Sequence, residues 1–73
     1  MRYTLDLPSN WVYVGYEDGT YENVANTDEL SRAEANEYRL RWEKARGKKV
    51  VTVVLVTPRH SLIKRFNYKG GAK

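Results

Sequence analysis

Few side chains in this sequence have the types and spacing that enzyme chemistry needs. His60 is the only histidine and cysteine is absent, so a nucleophilic arrangement would have to pair His60 with Ser61 or Ser31. Neighbouring residues in a turn seldom point at one another, and Ser31 is better explained as a helix cap. We interpret His60 as an exposed turn residue and expect that the protein is not an enzyme.

Paired carboxylates and metal-binding patterns are equally weak. Glu17 and Asp18 are adjacent acids, but they precede Gly19 in a pattern typical of a solvated hairpin turn, and no deep pocket is implied. The sequence has no phosphate-binding glycine loop, no EF-hand pattern and no histidine-rich metal spacing. We expect no cofactor and no metal.

The ionisable residues are divided unevenly along the chain. Residues 1–43 contain nine acids and four arginines, a net charge of −5, whereas residues 44–73 contain nine Lys and Arg and no acid, a net charge of +9. A charged partner is one explanation. Helix construction is another, because the predicted helix has Glu34 and Glu37 near its positive end. It has Lys44 and Arg46 near its negative end.

The helix is the best-marked element of the chain. Ser31 and Glu34 have the capping-box spacing, so the helix is predicted to begin at Arg32. Gly47 is placed to stop it after Arg46. The residues that recur on one apolar side are Ala35, Tyr38, Trp42 and Ala45.

Strand patterns surround this helix. Alternation over residues 3–7 predicts a first strand, and an Asp-Gly turn predicts a hairpin with strands near 11–17 and 20–25. The unbroken apolar run Val50–Val56 suits a central strand covered on both faces, and residues 61–68 suit a final strand.

The order of elements is then β-β-β-α-β-β. We predict one small α+β domain over residues 1–69, with a mainly antiparallel sheet of four to five strands and one helix on one face. Residues 70–73, which begin with two glycines, are predicted to form a flexible tail.

One helix covers only one face of such a sheet. The simpler solution, which we favour, is that Trp11, Tyr3 or the C-terminal segment folds across the other face, or that the sheet curls into a partial barrel. The alternative is that this face binds a partner.

Nucleic-acid binding is one function that the C-terminal segment suggests. Residues 64–69 interleave basic and aromatic side chains that could contact phosphates and stack on bases. However, most other tyrosines lie in the acidic half, where a phosphate backbone is repelled. Packing of Phe66 and Tyr68 beside Leu62 on one strand face explains the same residues without a ligand.

A protein-binding module uses the whole charge asymmetry, because an acidic and a basic region orient a small domain against a partner of complementary charge. Tyrosine and tryptophan, six and two copies, are residue types that often anchor interfaces. Edge strands offer a further mode, the addition of a partner strand.

The whole chain also resembles a known class of protein. From MRYTLDLPSNWVYVGYEDGTYENV through SRAEANEYRLRWEKARGKK to SLIKRFNYKGGAK, it is similar to a small transcription regulator of Xanthomonas-infecting phages, and its length of 73 residues agrees. The resemblance implies a protein that binds host bacterial RNA polymerase, inhibits sigma-dependent promoter recognition and also suppresses termination. The implied contacts are the amino-terminal end of the largest subunit and the flap of the second-largest subunit.

The resemblance carries no motif that transfers single contact residues, so the predicted site comes from charge and residue type. The candidate partner-binding residues are Tyr16, Glu17, Asp18, Tyr21, Glu22, Arg59, Lys64 and Arg65. We expect a monomer, because the net charge is +4 and no heptad repeat is present. Without cysteine, signal peptide or apolar span, the expected location is the host bacterial cytoplasm, away from membranes.

Overall fold

Residues 9–68 form a sheet of four antiparallel strands with one helix packed on it. The computed structural model describes residues 9–68, and the elements are β1 (Trp11–Tyr16), β2 (Tyr21–Asn26), α1 (Arg32–Arg46), β3 (Val50–Val56) and β4 (Leu62–Asn67). The strand order is β2-β1-β3-β4. This confirms the predicted α+β class. The strand predicted over residues 3–7 and the tail predicted over residues 70–73 lie outside the described residues.

The β1–β2 hairpin follows from its turn residues. Gly19 has a φ of 90°, which residues with a Cβ rarely adopt. Asp18 Oδ1 accepts hydrogen bonds from the Thr20 amide at 3.1 Å and from the Thr20 hydroxyl at 2.7 Å. Tyr16 donates its amide to the Thr20 carbonyl at 2.8 Å, so the turn fixes the pairing of both strands.

The bounds predicted for α1 are confirmed, because both ends are capped. The Ser31 hydroxyl accepts from the Glu34 amide at 3.1 Å, and the Glu34 carboxylate accepts from the Ser31 amide at 3.0 Å. Gly47 has a φ of 70° and donates its amide to the Glu43 carbonyl.

The predicted apolar side of α1 is wrong in its last turn. Ala35 is buried, and Tyr38 and Trp42 pack partly against the core, but Ala45 is exposed. Arg46 turns toward the sheet in its place, because its guanidinium binds Glu22 on β2.

The hydrophobic core lies between α1 and the two central strands. Its fully buried side chains are Val12, Val14, Leu30, Ala35, Val50, Val53 and Leu55. Burial of each branched side chain contributes roughly 1.5–3 kcal/mol. No helix within residues 9–68 has the length and apolar character needed to cross a membrane.

An irregularity in the pairing of β3 with β4 changes which side chains share a face. Leu55 pairs with Lys64, but the next residue, Val56, pairs with Leu62. The extra residue in β4 places Leu62 on the face opposite Phe66. The expected packing of Phe66 and Tyr68 beside Leu62 on one strand face is therefore wrong.

We predict that Ser31→Ala lowers the free energy of unfolding by about 0.5–2 kcal/mol, because the Glu34 amide loses its acceptor. Urea denaturation followed by circular dichroism measures the change. Ser61→Ala is the matched control, since Ser61 lies exposed in a turn that its backbone groups hold, and the expected change is within about 0.5 kcal/mol. Equal losses in the two variants would contradict the role of the cap.

Candidate partner-binding site

The sheet surface opposite α1 is the largest candidate site. Side chains alternate along β1, so burial of Val12 and Val14 under α1 directs Trp11, Tyr13 and Gly15 to the opposite side. Cross-strand pairs extend this side over the other strands. We call it the open face, and its side chains include Trp11, Tyr13, Tyr21, Thr52, Val54, Val56, Leu62, Arg65 and Asn67.

Gly15 allows Tyr21 to lie across the open face. A Cβ at position 15 would stand 2.7 Å from Tyr21 Cε2 and 2.6 Å from Thr52 Cγ2, closer than any ordinary contact. The ring of Tyr21 covers the glycine, yet 61% of the residue's surface remains exposed. Tyr21 is thus both a partial cover for the sheet and an accessible aromatic surface.

A cluster of aromatic rings covers the other end of the open face. The rings of Trp11 and His60 lie 5.8 Å apart at 61°, and Tyr13 lies 6.3 Å from both. His60 is exposed, as predicted, but it has a φ of 68°. The Thr57 hydroxyl accepts from the amides of Arg59 and Ser61, and this turn directs the imidazole toward β1.

Two shallow grooves lie between these aromatic groups. One, of about 410 Å³, is lined by Tyr21, Thr52, Val54, Leu62 and Arg65, among others. The other, of about 300 Å³, lies between Tyr13, Tyr21 and His60. Their walls combine apolar and aromatic side chains with the polar Thr52 and Asn67 and one guanidinium, a composition that suits a protein side chain better than an ion.

The Glu22 carboxylate of the acidic hairpin is bound by side chains of the same protein. Arg46 donates from Nε to Glu22 Oε1 at 3.0 Å and from Nη2 to Oε2, and the buried Tyr16 hydroxyl donates to Oε1 at 2.7 Å. Hydrogen bonds from Arg46 and Tyr16 lower the pKa of Glu22 to about 2. Burial and the neighbouring carboxylate raise the pKa of Tyr16 to about 12.

Asp18 is held in a similar way. The hydroxyl and amide of Thr20 and then the ammonium of Lys48, at 3.0 Å, lower the pKa of Asp18 to about 2. Lys48 Nζ also stands 4.7 Å from the centre of the Tyr16 ring. Two acids of the N-terminal half are therefore neutralised by bases of the C-terminal half.

Basic side chains gather where β4 meets α1. Arg32 and Lys64 lie 5.7 and 6.0 Å from the centre of the Phe66 ring, and Arg39 lies 4.7 Å from that of Tyr68. Both rings are partly buried against the core, and burial raises the pKa of Tyr68. The rings of Phe66 and Tyr68 thus pack between the core and cations of the same chain.

The eight residues predicted as contacts do not form one patch. Tyr21 and Arg65 line the same groove. Tyr16 is buried, and Asp18 and Glu22 are bound to bases. The remaining three are exposed: Glu17 in the hairpin turn, Arg59 in the turn before β4, and Lys64 on the helix side of β4.

Sequence reasoning did not include Tyr13, Val54 or Leu62 among the candidate contacts. Tyr13 could have been found from alternation with the apolar residues of β1. Leu62 could not, because its position depends on the irregular β3–β4 pairing.

Comparison with models of protein families, with curated proteins and with solved structures found no match for this chain. Within residues 9–68, no group of three or more potential ligands is arranged to hold a metal ion.

We predict an acid-sensitive stability that depends on Glu22. Its pKa falls from an ordinary 4.5 to about 2 on folding, so its contribution is complete above the unfolded pKa and disappears as the pH falls toward 2. Urea midpoints of the wild type should decline between about pH 5 and pH 2.

Glu22→Gln tests the assignment. The variant should be less stable than the wild type at pH 7, and this gap should narrow as the pH falls to 2. Asp18, whose pKa is also about 2, accounts for part of the decline in urea midpoint that the variant still shows at low pH. A gap that is independent of pH would contradict ionisation of Glu22 as its source.

We predict that Gly15→Ala destabilises the protein by about 1–3 kcal/mol, because the new methyl group overlaps Tyr21 and Thr52. Tyr21→Ala removes the ring that obstructs the new methyl group. Gly15→Ala should therefore lower the free energy of unfolding less in a Tyr21→Ala background than in the wild type. Urea denaturation of the four proteins in the cycle measures the coupling. Strict additivity would show that the Tyr21 ring does not depend on Gly15.

Proposed function

We propose that this protein binds bacterial RNA polymerase in the cytoplasm of an infected bacterium and inhibits transcription initiation by interfering with sigma-dependent promoter recognition. The resemblance to a small transcription regulator of Xanthomonas-infecting phages supports this partner. The proposed contacts are the amino-terminal end of the largest subunit and the flap of the second-largest subunit. Suppression of termination is a second effect that the same binding would allow.

The observation that carries the proposal is the open face. It exposes 61% of Tyr21 and 50% of Leu62, beside partly exposed Trp11 and Tyr13. Tryptophan, tyrosine and arginine are the residues that most often dominate the energy of protein interfaces. A continuous aromatic surface on so small a domain favours the burial of this face by another protein.

The charges around the open face favour an acidic contact on the polymerase. Arg65 lines the groove beside Tyr21, and Arg59 lies exposed next to His60, which packs on Trp11. Asp18 and Glu22 are neutralised within the protein. Of the three candidate acids, only Glu17 is left to contact a basic group on the partner.

Binding of nucleic acid is the alternative function. It is less well supported, because Phe66 and Tyr68, the aromatic residues of the basic segment, already contact cations and the core. Stacking on a base needs a free ring face. Arg65 is the one cation that lines the grooves within residues 9–68, whereas tight binding to a phosphate backbone uses several.

We predict that Tyr21→Ala and Arg65→Glu each weaken binding to the sigma-containing polymerase about tenfold or more, because each removes an anchor from the open face. Leu40→Ala and Lys44→Glu are the matched controls, since both residues are exposed on α1 and undergo the same kinds of change. Biolayer interferometry with immobilised polymerase measures the affinities. Circular dichroism confirms that each variant is folded.

Losses of affinity equal to those of the control variants would show that the open face is not part of the interface. A nuclease-treated pull-down from bacterial lysate tests the partner itself, with retention of polymerase subunits expected. Recovery of nucleic acid that disappears after nuclease treatment, without polymerase, would instead support the alternative function. Promoter-dependent transcription in vitro should decrease in proportion to polymerase occupancy by each variant.

A further inference from the structure

Among the described residues, the outer edge of β4 is unpaired and differs chemically from the other edge of the sheet. Within residues 9–68, no strand pairs with the outer side of β4 or of β2. The β4 sequence LIKRFN contains two bases and no acid, whereas the β2 sequence YENVAN contains one acid and no base. The acid of β2 is bound to Arg46. The two edges would therefore select different partners.

The peptide groups at the β4 edge are arranged for pairing. Tyr68 donates its amide to the Val51 carbonyl on β3 at 2.8 Å. Because peptide groups alternate in direction along a strand, the amides of Phe66 and Lys64 also lie toward β3. The amides and carbonyls of Arg65 and Asn67 consequently point away from the sheet. Nearer the start of β4, the irregular pairing at Leu62 interrupts this alternation.

Positive charge lies on both sides of this edge. Arg65 lies on the open face, whereas Lys64 lies on the helix side, where Arg32 also contacts the Phe66 ring. The chain has no acid from Lys44 to its end, so neither β3 nor β4 supplies a counter-charge.

Cations on an edge strand ordinarily prevent pairing with another copy of the same protein. The same charges that repel a second β4 would attract an acidic strand, so one feature gives both protection and selectivity.

We propose that the β4 edge binds an extended, acidic protein segment as an additional strand of the sheet. Main-chain hydrogen bonds to Arg65 and Asn67 would supply the pairing. Carboxylates on two successive residues of the segment point to opposite faces of the sheet, so one would reach Arg65 and the other would reach Lys64 with Arg32. This site is separate from the aromatic part of the open face, and the proposal stands whether or not the partner is polymerase.

Amide hydrogen exchange of the full-length protein, measured by NMR, tests the proposal. The probe is a capped ten-residue peptide in which pairs of adjacent glutamates, one carboxylate for each face of the strand, are separated by threonine and valine. At saturating peptide, exchange of the Arg65 and Asn67 amides should slow at least about fivefold, while exchange along the β2 edge stays unchanged. The same peptide with lysine in place of glutamate should not bind.

A second peptide separates strand pairing from simple charge attraction. N-methylation of alternate residues removes the donors that would face β4 but keeps every carboxylate, so its affinity should fall at least about tenfold. This arm needs no protein variant. Lys64→Glu/Arg65→Glu should also weaken binding at least about tenfold, whereas Arg41→Glu/Lys44→Glu, with the same change of net charge on α1, should have a smaller effect.

Several results would overturn the proposal. One is peptide binding that leaves the Arg65 and Asn67 amides unprotected or protects the β2 edge amides instead. The others are equal binding of the N-methylated peptide and slow exchange of both amides already in the free protein. Binding of oligodeoxythymidine in the absence of any peptide binding would instead identify a nucleic-acid site. Tyr21→Ala should leave peptide binding intact even where it weakens polymerase binding. Failure of the polymerase proposal and failure of the strand-pairing proposal can therefore be distinguished.

Discussion

One helix on a four-stranded sheet is the constraint from which the other features of this protein follow. α1 packs over β1 and β3, and the buried side chains of these strands form the core together with Leu30 and Ala35. Within residues 9–68, no second helix lies on the opposite face of the sheet. In the described residues, aromatic side chains cover part of that face, with the Tyr21 ring over Gly15 and the Trp11, Tyr13 and His60 rings clustered at the other end.

Part of the uneven distribution of charge is used inside the fold. Arg46 at the end of α1 binds Glu22 on β2, and Lys48 before β3 binds Asp18 in the hairpin turn. Both pairs join the acidic first half of the chain to the basic second half. They tie the edge of the hairpin to the end of the helix, and Tyr16 adds a buried hydroxyl to the first pair. Among the candidate contacts, what remains for a partner is predominantly basic, because Asp18 and Glu22 are paired and only Glu17 is left of the acids, while Arg59, Lys64 and Arg65 stay exposed.

The parts of the fold that local chemistry dictates were predictable. α1 begins at its capping box and ends at Gly47, and β3 is an uninterrupted apolar run, so both were predicted with the observed bounds. The remaining strands were located to within a residue or so. The irregular pairings were not predictable, because an extra residue in β4 depends on how two distant segments fit together. The same is true of the ion pair between Glu22 and Arg46, which lie 24 residues apart.

These long-range features also decide what the candidate site is. From composition, the acidic hairpin and the basic end looked like two contact regions, but the fold uses the first for stability. The irregularity in β4 turns Leu62 outward beside Tyr21 and Arg65, and the alternating peptide groups leave Arg65 and Asn67 facing the free edge. A surface suited to aromatic anchoring and an edge suited to strand pairing thus meet at Arg65. A partner that contacted both would bind more tightly, because binding at one of them raises the effective concentration of the partner's second segment at the other.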